Sequence, residues 1–166
     1  MTTSATATTA GGLPPRLFYR IVAIAEAVTW TLLIAGMVLK YVLLIDTPFT
    51  FAAGFLHGLV FITYAGTVIL VGVNQHWPVG RIAFGIVTAI VPYTTIPFDR
   101  WLEKRGHLDG DWRRAATDDP RDHTRVGGLL RWMLNHPVIL VTVFVVAVAA
   151  IVALLLVIGP PGGWGG

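Results

Sequence analysis

Residues 138–158 read VILVTVFVVAVAAIVALLLVI, 21 consecutive positions without a charged side chain. Crossing the hydrocarbon of a bilayer takes about 20 residues as helix. A run this long and this apolar predicts a membrane helix. Three further apolar segments lie upstream. The first runs from Ile21 to Leu39 and can extend to Ile45, with Glu26 as its one charge before Lys40. The second runs from Phe51 to Val73, just after Pro48, and has no charge. The third runs from Ile82 to Phe98, between Arg81 and Asp99. Backbone polar groups in lipid must be bonded within the segment, so each is expected to be helical. The alternation of a transmembrane β-barrel is absent.

The expected fold is therefore an all-α membrane protein, a bundle of four transmembrane helices. A three-helix core occupies residues 16–102, a polar loop residues 103–136 and the fourth helix residues 137–159. Residues 1–15 and 160–166 are expected as a disordered and a flexible tail. Composition agrees. Hydrophobic residues make up 55% of the 166-residue chain and charged ones 13%, with a mean hydropathy of +0.71. About a quarter of a soluble domain is charged. There is no cysteine, which excludes disulfides, thiolate nucleophiles and thiolate metal sites.

Basic residues set the expected orientation. Arg16 and Arg20 precede the first segment, Lys40 follows it and Arg81 precedes the third. Eight more lie between the third and fourth segments, from Arg100 to Arg131. If all four segments cross, the positive-inside rule puts that basic loop in the cytoplasm and both termini outside. Arg16 and Arg20 run against this locally. Tyr41, Trp101 and Trp132 would form one interfacial belt, and Tyr19, Trp77 and Trp164 the other. The mixed charges of residues 99–137 read as a solvated linker, with a short interfacial helix near Leu129 to Leu134.

The first segment reads Arg20-Ile-Val-Ala23-Ile-Ala-Glu26-Ala-Val-Thr29-Trp30, then Met37-Val-Leu-Lys40-Tyr41. The second holds His57-Gly58-Leu-Val-Phe61-Ile-Thr-Tyr64, and the third ends Ile96-Pro97-Phe98-Asp99-Arg100-Trp101-Leu102. From Leu17 to Leu102 the chain resembles the bacterial membrane family called domain of unknown function 3817, whose signature includes a His-Gly pair in a membrane helix. Phe98 keeps the family's aromatic before the acidic-basic pair, whereas Thr94 to Pro97 look less like the family. The resemblance implies a three-helix core in the plasma membrane and no activity.

Glu26 is the sharpest single feature. A carboxylate in the hydrocarbon costs several kcal/mol unless paired or protonated. It would handle a proton or cation, or form a structural pair, with Arg81 the expected partner. His57 shares a helix face with Phe61, Tyr64 and Val68 and is placed at the depth of Met37 and Lys40. Its readings are a proton relay, a metal, haem or head-group contact, or a buried imidazole bonded to a carbonyl. One histidine is a poor metal site, and His76, His107, His123 and His136 have no metal spacing. Gly54 and Gly58 form a Gly-x-x-x-Gly pair, with Ala23 and Ala27 as a matching small face on the first helix. Lys40 is expected to snorkel. Pro92 would free the carbonyl of Thr88 and kink the third helix.

No nucleotide, hydrolase or metalloprotease motif is present. No cofactor, metal, catalytic group or nucleic-acid surface is expected. The leading expectation is a non-enzymatic accessory or assembly subunit that packs against other membrane proteins or itself in the bilayer. The alternative is a small oligomeric transporter or channel using Glu26, His57 and Lys40, with Arg20 and Arg81 as further polar positions.

Overall fold

A computed structural model describes residues 12–159. The expected tails fall mostly outside that range, as does Trp164. Every regular element among the described residues is helical. Helix α1 spans Pro15–Met37 and continues as a π-helical turn, Val38–Val42. Helix α2 spans Pro48–Asn74, α3 Val79–Thr88, α4 Thr95–Lys104, α5 Arg125–Asn135 and α6 Pro137–Ile158. Proline opens α1, α2 and α6 at positions whose N–H would have no helical partner in any case. Three helices are long and apolar enough to cross a membrane: α1 with its π turn, α2, and α6. The protein is a helical membrane bundle.

The third apolar segment departs from the single helix expected over Ile82 to Phe98. It is two short helices, because three local features act together. Pro92 has no N–H and its ring crowds the preceding turn. Tyr93 adopts φ 66°, in the left-handed region that side chains rarely occupy. Pro97 then sits in the first turn of α4, where a missing donor costs little. The expected kink is thus a full break over residues 89–94.

After the break the chain folds back. Trp77, just ahead of α3, meets Phe98 of α4 edge-on, and its indole donates to the carbonyl of His107 past the end of α4. Arg81 of α3 lies over the Trp101 ring of α4. Helices α3 and α4 therefore form an antiparallel hairpin with both outer ends on one side. At its tip, Ala89 and Tyr93 meet Trp30 and Thr31, midway along α1.

The α1–α2 crossing closes at Gly36, where a Cβ would lie 3.2 Å from the Thr50 backbone. It does not use the Gly54/Gly58 pair. A Cβ on Gly54 would meet only Leu33, and one on Gly58 nothing within 4 Å. Of the expected small face on α1, Ala23 is fully buried in the core and Ala27 is half-buried. Helix α6 runs antiparallel to α2, with Phe144 over Gly66. The first turn of α1 and the last turn of α6 therefore lie at opposite ends of the bundle.

The core is an aromatic and aliphatic cluster that includes Tyr19, Tyr64, Val68, Trp77, Phe98, Leu102 and Leu108. Trp77 and Trp101 thus belong to one end of the bundle, with Tyr19, rather than to two belts.

The segment after α4 is folded, not a solvated linker. Asn74, at the end of α2, donates to the Asp111 carbonyl and accepts from the Arg113 N–H. Asp122 is buried and accepts from the Thr117 hydroxyl and N–H, with His76 3.0 Å away and Arg113 and Arg131 near it. The Thr117 hydrogen bonds are the main reason its carboxyl is held down at about 2. The helix expected near Leu129 is α5. It is capped by the Thr124 hydroxyl and buries Leu130 and Leu134.

Candidate functional site

Polar side chains follow the inner face of α1 from its start to its middle. Arg20 donates to Asp99 at 3.0 Å and also to Glu103, while Arg16 pairs with Glu103. Asp99 and Glu103 are one turn apart on α4, so two arginines on α1 meet two carboxylates. One level deeper, Tyr19 and Tyr64 share a hydroxyl hydrogen bond of 2.8 Å, and Tyr64 reaches Thr88 at 3.1 Å. Both tyrosines are fully buried.

Glu26 lies at the next level. It sits eleven residues into α1, roughly 16 Å from the helix start at 1.5 Å per residue. That is deeper than the sequence suggests, because α1 begins at Pro15 and not near Ile21. The side chain is fully buried. Its Oε2 accepts from Thr95, the first residue of α4, at 3.1 Å, and the same hydroxyl faces the Ala23 carbonyl at 3.2 Å. Oε1 has no hydrogen-bond partner among the described residues. The expected pairing with Arg81 does not form, since Arg81 is held at the outer end of the hairpin over Trp101. A hydroxyl at the tip of α4 takes the place of the cation, and the positive end of that helix faces the carboxyl.

His57 is buried one turn further on. Its Nδ1 lies 3.2 Å from the Thr29 hydroxyl, which donates to the Glu26 carbonyl at 2.9 Å. The Trp30 ring packs on the imidazole at 4.5 Å. His57 is therefore level with Thr29 and Trp30, not with Met37 and Lys40. The register follows from Gly36 meeting Thr50, which leaves the π turn and Lys40 beyond the crossing. Glu26 and His57 make no direct contact but are linked through Thr29. Trp30 completes the level by donating to the Ala89 carbonyl at the hairpin tip. Lys40 is exposed, 5.8 Å from the Tyr41 ring, and belongs to the opposite end of the bundle.

The structure thus joins Glu26, His57 and Arg20 along one seam and leaves out Lys40, Arg81, Gly54 and Gly58. It adds Thr29, Tyr64, Thr88, Thr95 and Asp99. Hydroxyls carry no sequence signal of their own, although two of these, Thr88 and Thr95, flank the break at Pro92. Among the described residues no group of three or more His, Cys, Asp or Glu is placed to hold a metal.

A protein of Streptomyces coelicolor named "Putative membrane protein" is 39% identical over 88 residues, which are 52% of this chain. Those residues are 10% of that protein, so the chain spans about a tenth of its relative's length. No solved structure matches the chain. The family model described as Domain of unknown function (DUF3817) matches residues 17–104, from the start of α1 to the end of α4. The chain belongs to the domain of unknown function 3817 family.

Proposed function

We propose that this chain is a non-enzymatic accessory or assembly module of a larger assembly in the bacterial plasma membrane. One observation carries the reading. Eighty-eight residues, 52% of this chain, match about a tenth of a much longer protein named as a putative membrane protein. A unit that occurs within a longer protein has further segments to pack against. The inner polar groups support this, since Arg20, Tyr19, Tyr64 and His57 are all bonded within the unit. Helix α6 lies outside the matched region, and most of its side chains other than Val148 are exposed. The test is a native pull-down from the protein's own membranes in mild detergent, with mass spectrometry. A stoichiometric membrane partner is expected. Reproducible recovery of the chain alone overturns the reading.

The same proposal includes an orientation. With α3–α4 as a re-entrant hairpin, the chain crosses three times. Eleven of the twelve basic residues, all but Lys40, then lie at the end where α1 begins. The positive-inside rule places that end in the cytoplasm, with the N-terminus inside and the C-terminus outside. Arg16 and Arg20 no longer run against the rule.

A second reading, a small oligomeric transporter, rests on a different observation. The free Oε1 of Glu26 sits at a helix break near the membrane centre. Broken helices of this kind hold ions and substrates in transporters. Glu26→Gln would then abolish a proton- or cation-driven flux in liposomes. The pure protein showing no flux under any gradient excludes it.

A further inference from the structure

The outer face of the α3–α4 hairpin carries a groove of about 360 Å³. Phe84, Phe98 and Trp101 form its walls, Pro97 lies along it, and Thr88 and Thr94 lie at its inner end. Phe84, Pro97 and Trp101 are exposed on the bundle surface. The groove runs along α4 from Trp101 to Thr94, about 10 Å at 1.5 Å per residue. That is from the membrane interface toward the centre. A slot of this kind suits an acyl chain.

Its outer end is cationic. Arg81 lies over the Trp101 ring, with its Cζ 5.9 Å from the centroid. Arg105 follows one turn after Trp101, its N–H bonded to the Trp101 carbonyl. His107 packs against Trp101 with the ring centroids 5.3 Å apart and the planes tilted by 55°. Its imidazole is held below its ordinary pKa first by burial and then by the nearby positive charges of Arg81 and Arg105. Neither arginine makes an ion pair among the described residues, whereas Arg16, Arg20, Arg113, Arg121 and Arg131 all face carboxylates. Basic pockets between helices at the cytoplasmic face bind anionic head groups.

We infer that the hairpin holds one anionic phospholipid, its phosphate between Arg81 and Arg105 and an acyl chain in the groove. The charge at the mouth and the apolar wall below it select an anionic lipid over a zwitterionic one. The aromatic ring of Trp101 sits at the junction, where an indole is at home between head group and chain.

The test offers the full-length purified protein an equimolar mixture of phosphatidylglycerol and phosphatidylcholine and counts retained lipids by native mass spectrometry. One phosphatidylglycerol is expected to be retained in preference. Arg81→Gln with Arg105→Gln should lower that preference on the order of tenfold, from the usual contribution of two surface arginines. Arg114→Gln with Arg125→Gln makes the same change in charge away from the groove and should leave it unaltered. Pro97→Trp fills the groove, keeps both arginines and should also lose the lipid. If that variant does not fold, the arginine pair decides alone. Equal retention of the two lipids by the native chain overturns the proposal, as does a double arginine variant that retains lipid like the native chain. Binding of inorganic phosphate with unchanged lipid retention in folded Pro97→Trp also overturns it.

Discussion

The Thr95 hydroxyl lies 3.1 Å from Oε2 of Glu26, two side chains 69 positions apart that join the tip of α4 to the middle of α1. It is the hydrogen bond that ties Oε2 of Glu26 to α4. Removing a buried donor and leaving its acceptor costs about 1–3 kcal/mol, more when the acceptor is charged. Thr95→Val should destabilise the bundle by at least that amount in a detergent unfolding titration, and Thr95→Ser should not. Replacing both partners removes the orphan as well as the bond. Thr95→Val combined with Glu26→Leu should therefore recover much of the loss. A Thr95→Val protein as stable as the native chain would show that the contact contributes nothing.

Close packing separates three glycines. A Cβ on Gly85 would stand 2.8 Å from Val68 and 3.0 Å from Phe98, inside the core. Gly36 faces backbone, which cannot move aside. Gly58 faces open space. Gly85→Leu and Gly36→Leu should fail to accumulate as folded protein. Gly58→Leu should stay within about 0.5 kcal/mol of the native chain, as surface substitutions do. The measurement is membrane yield with thermal unfolding in detergent. Loss of folding in Gly58→Leu would contradict the helix arrangement.

The three long spans were legible because length and hydropathy decide them without reference to neighbours. Glu26 stood out for the same reason, as one charge in an apolar run. The hairpin was not legible. Pro92 alone reads as a kink, and nothing in the sequence announces the left-handed Tyr93 that turns the kink into a reversal. The depth of His57 depended on where α1 and α2 cross, and Gly36 sets that through a contact with Thr50 that no periodicity reveals. The folding of the polar segment likewise rests on long-range pairs such as Asn74 with Arg113 and His76 with Asp122. Scattered charges there look like a linker until those pairs are seen.

Asp122 makes that segment sensitive to acid. Its carboxyl is held at about 2, against an ordinary value of 3.8, chiefly by the Thr117 side chain and then by the Thr117 N–H. A depressed carboxylate contributes stability that is complete above the unfolded value and is lost as pH falls through the folded one. The anchoring of residues 105–124 should therefore be constant above about pH 5 and weaken between about pH 4 and 2. Asp119, held down mainly by the Arg121 side chain, adds a loss in the same direction. Hydrogen exchange of the Thr117 amide across this range is the measurement. In Asp122→Asn the pH dependence should shrink and protection at neutral pH should be lower. Protection that is unchanged by the substitution would dismiss Asp122 as the anchor.

The fold-back of α3–α4 can be decided by side-specific labelling, since the chain has no cysteine of its own. Single cysteines at Leu13, Asp46, Asp118 and Gly159 mark the start of α1, the α1–α2 connection, the polar segment and the end of α6. Three crossings put Leu13 and Asp118 on one side and Asp46 and Gly159 on the other. Four crossings would instead put Leu13 and Gly159 together, opposite Asp118. A membrane-impermeant maleimide applied to intact cells should therefore label Asp46→Cys and Gly159→Cys, and reach the other two only after the cells are broken. Labelling of Leu13→Cys together with Gly159→Cys in intact cells would mean that residues 82–98 cross the bilayer, and the re-entrant reading would fall with it. Joint labelling of Leu13→Cys and Asp118→Cys would keep the hairpin and reverse the orientation.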